Sequence, residues 1–239
     1  MDRELYDIWV YLAERPLVGL TMTLVAYAAG QWVYTRTRLF PLFNPVLIAI
    51  AVIGGFLYAT DTPYELYFEG AQFVHFLLGP AVVSMAVPLY RNVTHLRQTA
   101  VPLGAALLTG GVTAAGSAVG AAWLLGAGRE TLVSLAPKSV TTPIAMGIAD
   151  SLGGLPSLTA VLVILTGILG GMLATWTLNL LRIRDWRARG FATGLAAHGI
   201  GTARALEMNE VAGAFASLAI GLNGIATAVL LPLVVAWLF

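Results

Sequence analysis

The chain has 239 residues, 58% of them hydrophobic and only 10% charged, with a net charge of +1 and a mean hydropathy of +0.82. A soluble domain of this length carries about 25% charged residues, so a soluble fold is excluded, and so weak a net charge offers no field for nucleic acid. The absence of cysteine removes disulfides and thiolate chemistry.

The opening MDRELYDIWVYLAERP is charged and amphipathic, which predicts an interfacial helix rather than a cleaved leader. Windows free of Asp, Glu, Lys and Arg follow at 17–35, 41–59, 100–127, 155–181 and 211–239. Each approaches or exceeds the roughly 20 apolar residues that cross a bilayer. Between them lie a third span at 70–90 with Gly79-Pro80 at its centre, an interrupted stretch at 131–152 and a weak glycine-rich span at 190–206. The fold expected is an all-α polytopic membrane protein, one membrane domain over 1–239, with about seven or eight membrane segments, two of them interrupted.

Eight of the twelve arginines fall at 36–38, 91–97 and 182–189, the loops that basic residues mark as cytoplasmic. The loop expected at 60–69 holds three acids and no base and is assigned to the outside. Parity then requires 131–152 to be a re-entrant or broken hairpin. A faint internal echo supports a structural repeat with halves at 17–99 and 100–239. Asn44-Pro45 precedes Ala136-Pro137 by 92 positions, Arg91 precedes Arg182 by 91, and GVTAA at 111–115 resembles GIGTA at 199–203. Repeat-built carriers place their site on discontinuous helices at the repeat interface, which adds the expectation of a scaffold part and a mobile part.

Two stretches concentrate the chemistry. The first, APKSVTTPIAMGIAD at 136–150, holds the only lysine of the chain, Lys138. Pro143 deletes a backbone donor and clashes with the carbonyl of Ser139, and Pro137 and Pro143 push Ala136 and Thr142 towards extended geometry. Irregular backbone at membrane depth persists only where protein or water covers it. Ser139, Thr141 and Thr142 supply hydroxyls there, and Pro143 suits the first turn of a new helix, whose N-terminus favours an anion. A buried ammonium costs at least about 2.5 kcal/mol at membrane depth, unless Lys138 meets water, an anionic substrate, or Asp150 or Glu207.

The second, AAHGIGTARALEMNE at 196–210, brings His198, Gly199, Gly201, Thr202, Arg204 and Glu207 into a weak apolar window. The glycines either break the helix and free amides for a ligand, or leave Arg204 and Glu207 as an i,i+3 pair. The Arg204 guanidinium can take a carboxylate in a two-point fork. Asn44 and Asn223 are further ligand candidates. Asp150, Glu207 and His198 are the groups considered for proton or ion coupling. His75 reads as a packing residue, His95 as solvated, and the small-residue run at 104–122 as a packing seam. No zinc spacing, phosphate loop, dinucleotide fingerprint or nucleophile–base set is present, so neither an enzyme nor a metal or cofactor is expected.

The blocks LAPKSVTTPIAMGIADSLGGLPSLTAV at 135–161 and AHGIGTARALEMNEVAGAFASLAIGLNG at 197–224, with NPVLIAI at 44–50 and FVHFLLGPAVVSMAVPLYR at 73–91, resemble the LrgB/CidB family of membrane proteins. That family includes the membrane domain of the plastidal glycolate/glycerate translocator of plants. The resemblance implies an alternating-access carrier, elevator-like, for small monocarboxylates of the glycolate, glycerate, pyruvate or lactate type. Its alternative is a holin/antiholin-like protein regulating murein hydrolase export and lysis. It also implies a bacterial inner membrane, a homodimer, and an LrgA/CidA-type small membrane protein as partner. The plant arrangement fuses such a region at its N-terminus; here the first span begins near residue 17.

Overall fold

The computed structural model describes residues 16–37, 40, 43–77, 80, 90 and 100–238, and among these every regular element is a helix. The amphipathic stretch at 1–15, and most of the expected third span and basic loop at 78–99 with His95, lie outside the described residues. The chain divides into two compact units, Met1–Ser84 and Met85–Phe239.

The first unit contains α1 (Pro16–Arg36), α2 (Pro45–Thr60) and α3 (Tyr64–Phe76). Asn44 is the N-cap of α2, its Oδ1 accepting from the amides of Val46 at 2.9 Å and Leu47 at 3.4 Å. Asp61, at φ 52°, ends α2 in the left-handed region. A side chain on Gly30 would strike the backbone of Pro45, so α1 and α2 meet at bare backbone. The expected acidic loop at 60–69 is corrected: only a short turn follows Thr60, and Glu65 and Glu69 ride on α3. Tyr67 on the same helix hydrogen-bonds to Thr23 of α1 at 2.8 Å, a pairing that makes 64–69 part of the packed unit.

The second unit contains α4 (Ala100–Leu124), α5 (Arg129–Leu135), α6 (Thr142–Ser151), α7 (Pro156–Leu180), α8 (Trp186–Met208) and α9 (Glu210–Leu238). Four helices of the described chain are long and apolar enough to cross a membrane: Leu17–Arg36, Ala100–Leu124, Pro156–Leu180 and Glu210–Trp237. At 1.5 Å per residue, the seven residues of α5 and ten of α6 reach only about 10 and 15 Å, too short for a core of about 30 Å.

α5, residues 136–141 and α6 form a closed excursion. Ser134 Oγ accepts the amide of Leu155 at 2.7 Å and donates to the Glu130 carbonyl at 2.6 Å. Thr159 Oγ1 donates to the Ser134 carbonyl at 3.0 Å. Both hydroxyl residues are fully buried, so the chain leaves Ser134 and returns to it 21 positions later.

α8 also reverses. His198 lies inside it at φ 40°, ψ −132°, a conformation no helix accommodates. A Cβ on Gly201 would lie 2.8 Å from the Thr193 carbonyl oxygen, although residues eight apart in a straight helix are separated by about 12 Å. The two halves of α8 are therefore folded against each other with His198 at the tip. The first half packs on α9, where side chains at Gly190 and Gly194 would collide with the backbone carbonyls of Ala212 and Ala216. This small-residue contact lets the helices approach at backbone distance. Phe191, Leu195, Phe215 and Ala219 form the core above it, flanked by Leu103 and Leu107 of α4. The basic loop expected at 182–189 is shorter than its sequence suggested. α8 begins at Trp186, and Arg189 is buried, its Nη1 donating to Asn179 Oδ1 at 2.9 Å and the Ile183 carbonyl at 2.8 Å.

Candidate functional site

The tips of the two excursions converge at the middle of the long helices. The chain turns through 136–139, with the Lys138 amide bonded to the Leu135 carbonyl at 3.2 Å and the Val140 amide to the Pro137 carbonyl at 3.2 Å. α6 starts at Thr142 with Pro143 in its first turn, because proline needs no amide partner there. The extended geometry expected at Ala136 and Thr142 is corrected, since Ala136 is right-handed helical and Thr142 opens the helix. Thr141 precedes α6 in extended conformation without capping it through its side chain, which leaves first-turn amides without an acceptor inside the helix. Ala136, Pro137 and Val140 are buried, Val140 clustering with Ala145 and Val163. Lys138 is half-buried, its Nζ donating to Ser139 Oγ at 3.3 Å.

Opposite stands His198, 5% exposed. Its Nε2 lies 2.8 Å from the Val163 carbonyl oxygen. A carbonyl only accepts, so Nε2 carries the proton. Gly167 makes this bond feasible: the side chain four residues on covers a helix carbonyl, and a Cβ on Gly167 would lie 2.5 Å from the imidazole Cε1. Thr202, fully buried, donates to the His198 carbonyl at 2.8 Å. Asn223 ties the tips together, its Nδ2 donating to the Ser139 carbonyl at 3.0 Å and, at the long limit of 3.5 Å, to the Leu195 carbonyl.

The depth of this junction follows from helix register. Asn223 is the fourteenth of the 29 residues of α9, and Val163 and Gly167 are the eighth and twelfth of the 25 in α7. Gly111, twelfth of 25 in α4, places a would-be Cβ 3.6 Å from Asn223 Oδ1. Three helices long enough to span thus meet the tips near their midpoints, which is mid-bilayer if they cross it.

The structure gathers Lys138, Ser139, His198, Thr202 and Asn223, with Thr141 and Thr142 beside them. It does not gather Arg204 and Glu207, which form an i,i+3 ion pair at 3.2 Å. Arg204 lines a separate recess with Thr175, Arg189 and Met208 whose volume of about 10 Å³ is about that of one water. Asp150 is exposed. Neither acid partners Lys138 among the described residues. Gly199 and Gly201 are helical, the break falling on His198 instead, and Gly201 serves to admit the Thr193 turn. Beyond the membrane-length helices, Asp185 caps α8 and meets Arg187 at 2.6 Å, a bond that holds its carboxyl below the usual carboxylate range.

Sequence reasoning missed Ser134, Thr159, Val163 and Gly167. Ser134 and Thr159 are isolated hydroxyls in apolar runs, and Gly167 is one of three glycines in a clean span. A carbonyl ligand such as Val163 leaves no trace in residue type.

An all-helical integral membrane protein with two half-length excursions meeting at mid-helix depth is the class these features define. The chain belongs to the LrgB-like family, whose profile matches residues 23–237. It is 37% identical to the uncharacterized proteins YwbG and YxaC of Bacillus subtilis (strain 168), over 93% of this chain and 98% and 96% of theirs. It is 31% identical to the antiholin-like protein LrgB of Bacillus mycoides (strain KBAB4), over 91% of this chain and 95% of that relative. No solved structure matches it.

Proposed function

We propose that this chain is an antiholin-like protein of a bacterial inner membrane, and that its molecular act is the passage of a small monocarboxylate. The first half rests on relatives that carry the antiholin-like name, and it is the half the comparisons favour. A strain lacking the chain is expected to lyse earlier under conditions that trigger murein hydrolase release; unchanged lysis would overturn it.

The second half rests on one observation, the chain's only lysine on a tip that Asn223 joins to the opposite tip at mid-helix depth. Lys138 would neutralise a carboxylate, the first-turn amides of α6 would bind its oxygens, and Thr141, Thr142 and the free edge of His198 would orient the remainder. A lined pore needs polar groups along a helix face, whereas here they cluster at one depth. The two half-length excursions suit a moving part working by alternating access against spanning helices, with 131–152 as a re-entrant segment. Of the three groups weighed for proton coupling, His198 alone stands at the junction, so it is our choice. Arg204 is reassigned from anchor to helix-end pair. A homodimer and an LrgA-type partner remain part of the proposal.

Counterflow of labelled glycolate, glycerate, pyruvate and lactate into liposomes holding only this chain tests the carrier. At least one acid is expected to accumulate against unlabelled acid inside. Absence of flux for all four, from folded protein, would overturn this half and leave the first standing.

A further inference from the structure

The two reversals leave two carbonyls short of donors. Ser139 would bond to the amide of residue 143 in a continuing helix, and residue 143 is proline, which has none. Leu195 sits in the last turn before the reversal at His198, where carbonyls lose the amides that further helix supplies. The side chain that reaches both is Asn223, 3% exposed, from the middle of α9. A carboxamide has two N–H donors on one nitrogen, so a single side chain can hold one carbonyl on each tip. Its Oδ1 is occupied as well, accepting from Thr227 Oγ1 at 3.4 Å. The bonds of Asn223 thus go to protein on both tips and along α9, while its Oδ1 keeps a second lone pair on the side of a cavity of about 230 Å³ that the residue lines with Gly111.

We infer that Asn223 is a positioning residue: its amide bridges the tip at Ser139 to the tip at Leu195 and sets the spacing of the two tips, one carrying Lys138 and the other His198. The inference rests on reading that junction as a binding site, but the bridge itself is measurable without any ligand. Two features of the surroundings support a dedicated role. Gly111 on α4 lies beside Oδ1, where a Cβ would stand in ordinary contact at 3.6 Å. Gly224, next along α9, lets Ile144 of α6 come within 3.1 Å of where a Cβ would stand, so α9 also touches the excursion beside the bridge.

The chain has no cysteine, so spin labels can be placed without background. Gly147→Cys, with open space around it, and Ala196→Cys put labels on exposed positions, one on each excursion. With Asn223 intact, the distance distribution is expected to be single and narrow. Asn223→Leu keeps the shape and removes both donors; Asn223→Asp sets a carboxylate against two carbonyls. Both are expected to broaden or lengthen the distribution, the Asp variant more. In counterflow, Asn223→Leu is expected to raise the half-saturating acid concentration about five- to tenfold, the scale of one or two lost net hydrogen bonds, with the maximal rate little changed. If Asn223→Leu does not fold, Asn223→Ser keeps one donor on a shorter stem and is expected to broaden the distribution as well. Retention of the wild-type distance and width by every folded variant would overturn the bridge, even if stability fell. A broadened distribution in a protein that carries no acid would uphold the bridge and remove the carrier reading instead.

Discussion

The reversal at residues 136–141 and the reversal at His198 do the same thing by opposite means. The first spreads over six residues, with Pro143 removing the amide that the Ser139 carbonyl would meet in a continuing helix and Thr141 taking the extended conformation before α6. The second is concentrated in a single residue held at φ 40°, where no proline stands and helix runs to either side. Proline alone does not force a break, since Pro232 lies inside α9, but here Pro143 falls where a new helix starts. The His198 break persists because the surroundings hold it: the Val163 carbonyl grips the ring, Gly167 makes room, and Gly201 admits the folded-back turn. One reversal is written locally and the other is enforced by packing.

The largest test of that contrast is Gly201→Val. Its Cβ would meet Ala197 and the Thr193 backbone, neither of which can swing aside, so overpacking should destabilise the protein by about 3 kcal/mol. A detergent-solubilised variant that unfolds at the wild-type temperature would show that α8 is not a tight hairpin.

Strain at position 198 separates two further variants. Both His198→Ala and His198→Gly lose the bond to Val163, but only glycine adopts the local backbone without penalty. The alanine variant should be the less stable of the two by about 2 kcal/mol. Equal unfolding temperatures would mean that the residue is unstrained in solution.

For the first reversal, Ser134→Ala removes the acceptor of the Leu155 amide and opens the neck of the excursion. An expected loss of about 1.5 kcal/mol, with faster amide exchange at Leu155, would confirm that the neck is closed there. The smallest effect belongs to Pro143→Ala. It returns a donor to Ser139 but leaves Pro137 and the buried turn in place, so stability should change by less than about 1 kcal/mol. A large gain in stability would show that Pro143 strains the native turn.

The same contrast explains what was legible in the sequence. The apolar windows, the turn before Pro143 and the isolation of Lys138 follow from composition and from a donor that proline lacks. The position of the second reversal does not, since Gly199 and Gly201 drew attention to themselves while the strained residue was their neighbour. Glycine signals freedom, and here that freedom is spent on close packing rather than on the turn. Arg204 misled for a related reason. Charge in an apolar window suggests a ligand, yet a residue six positions past the tip lies about 9 Å further along the helix, where Glu207 meets it. Asn44 similarly turned out to cap α2.

The central claim is that Lys138 faces an anion at the junction of the tips. No acid partners it among the described residues, so Lys138→Met strands no carboxylate and should fold with an unfolding temperature equal to or above that of the wild type. Counterflow of the four labelled acids, measured on liposomes of the two proteins side by side, is the direct test. The account predicts accumulation of at least one acid by the wild type and none by the stable Lys138→Met variant. A stable variant that accumulates the acid as well as the wild type would contradict it.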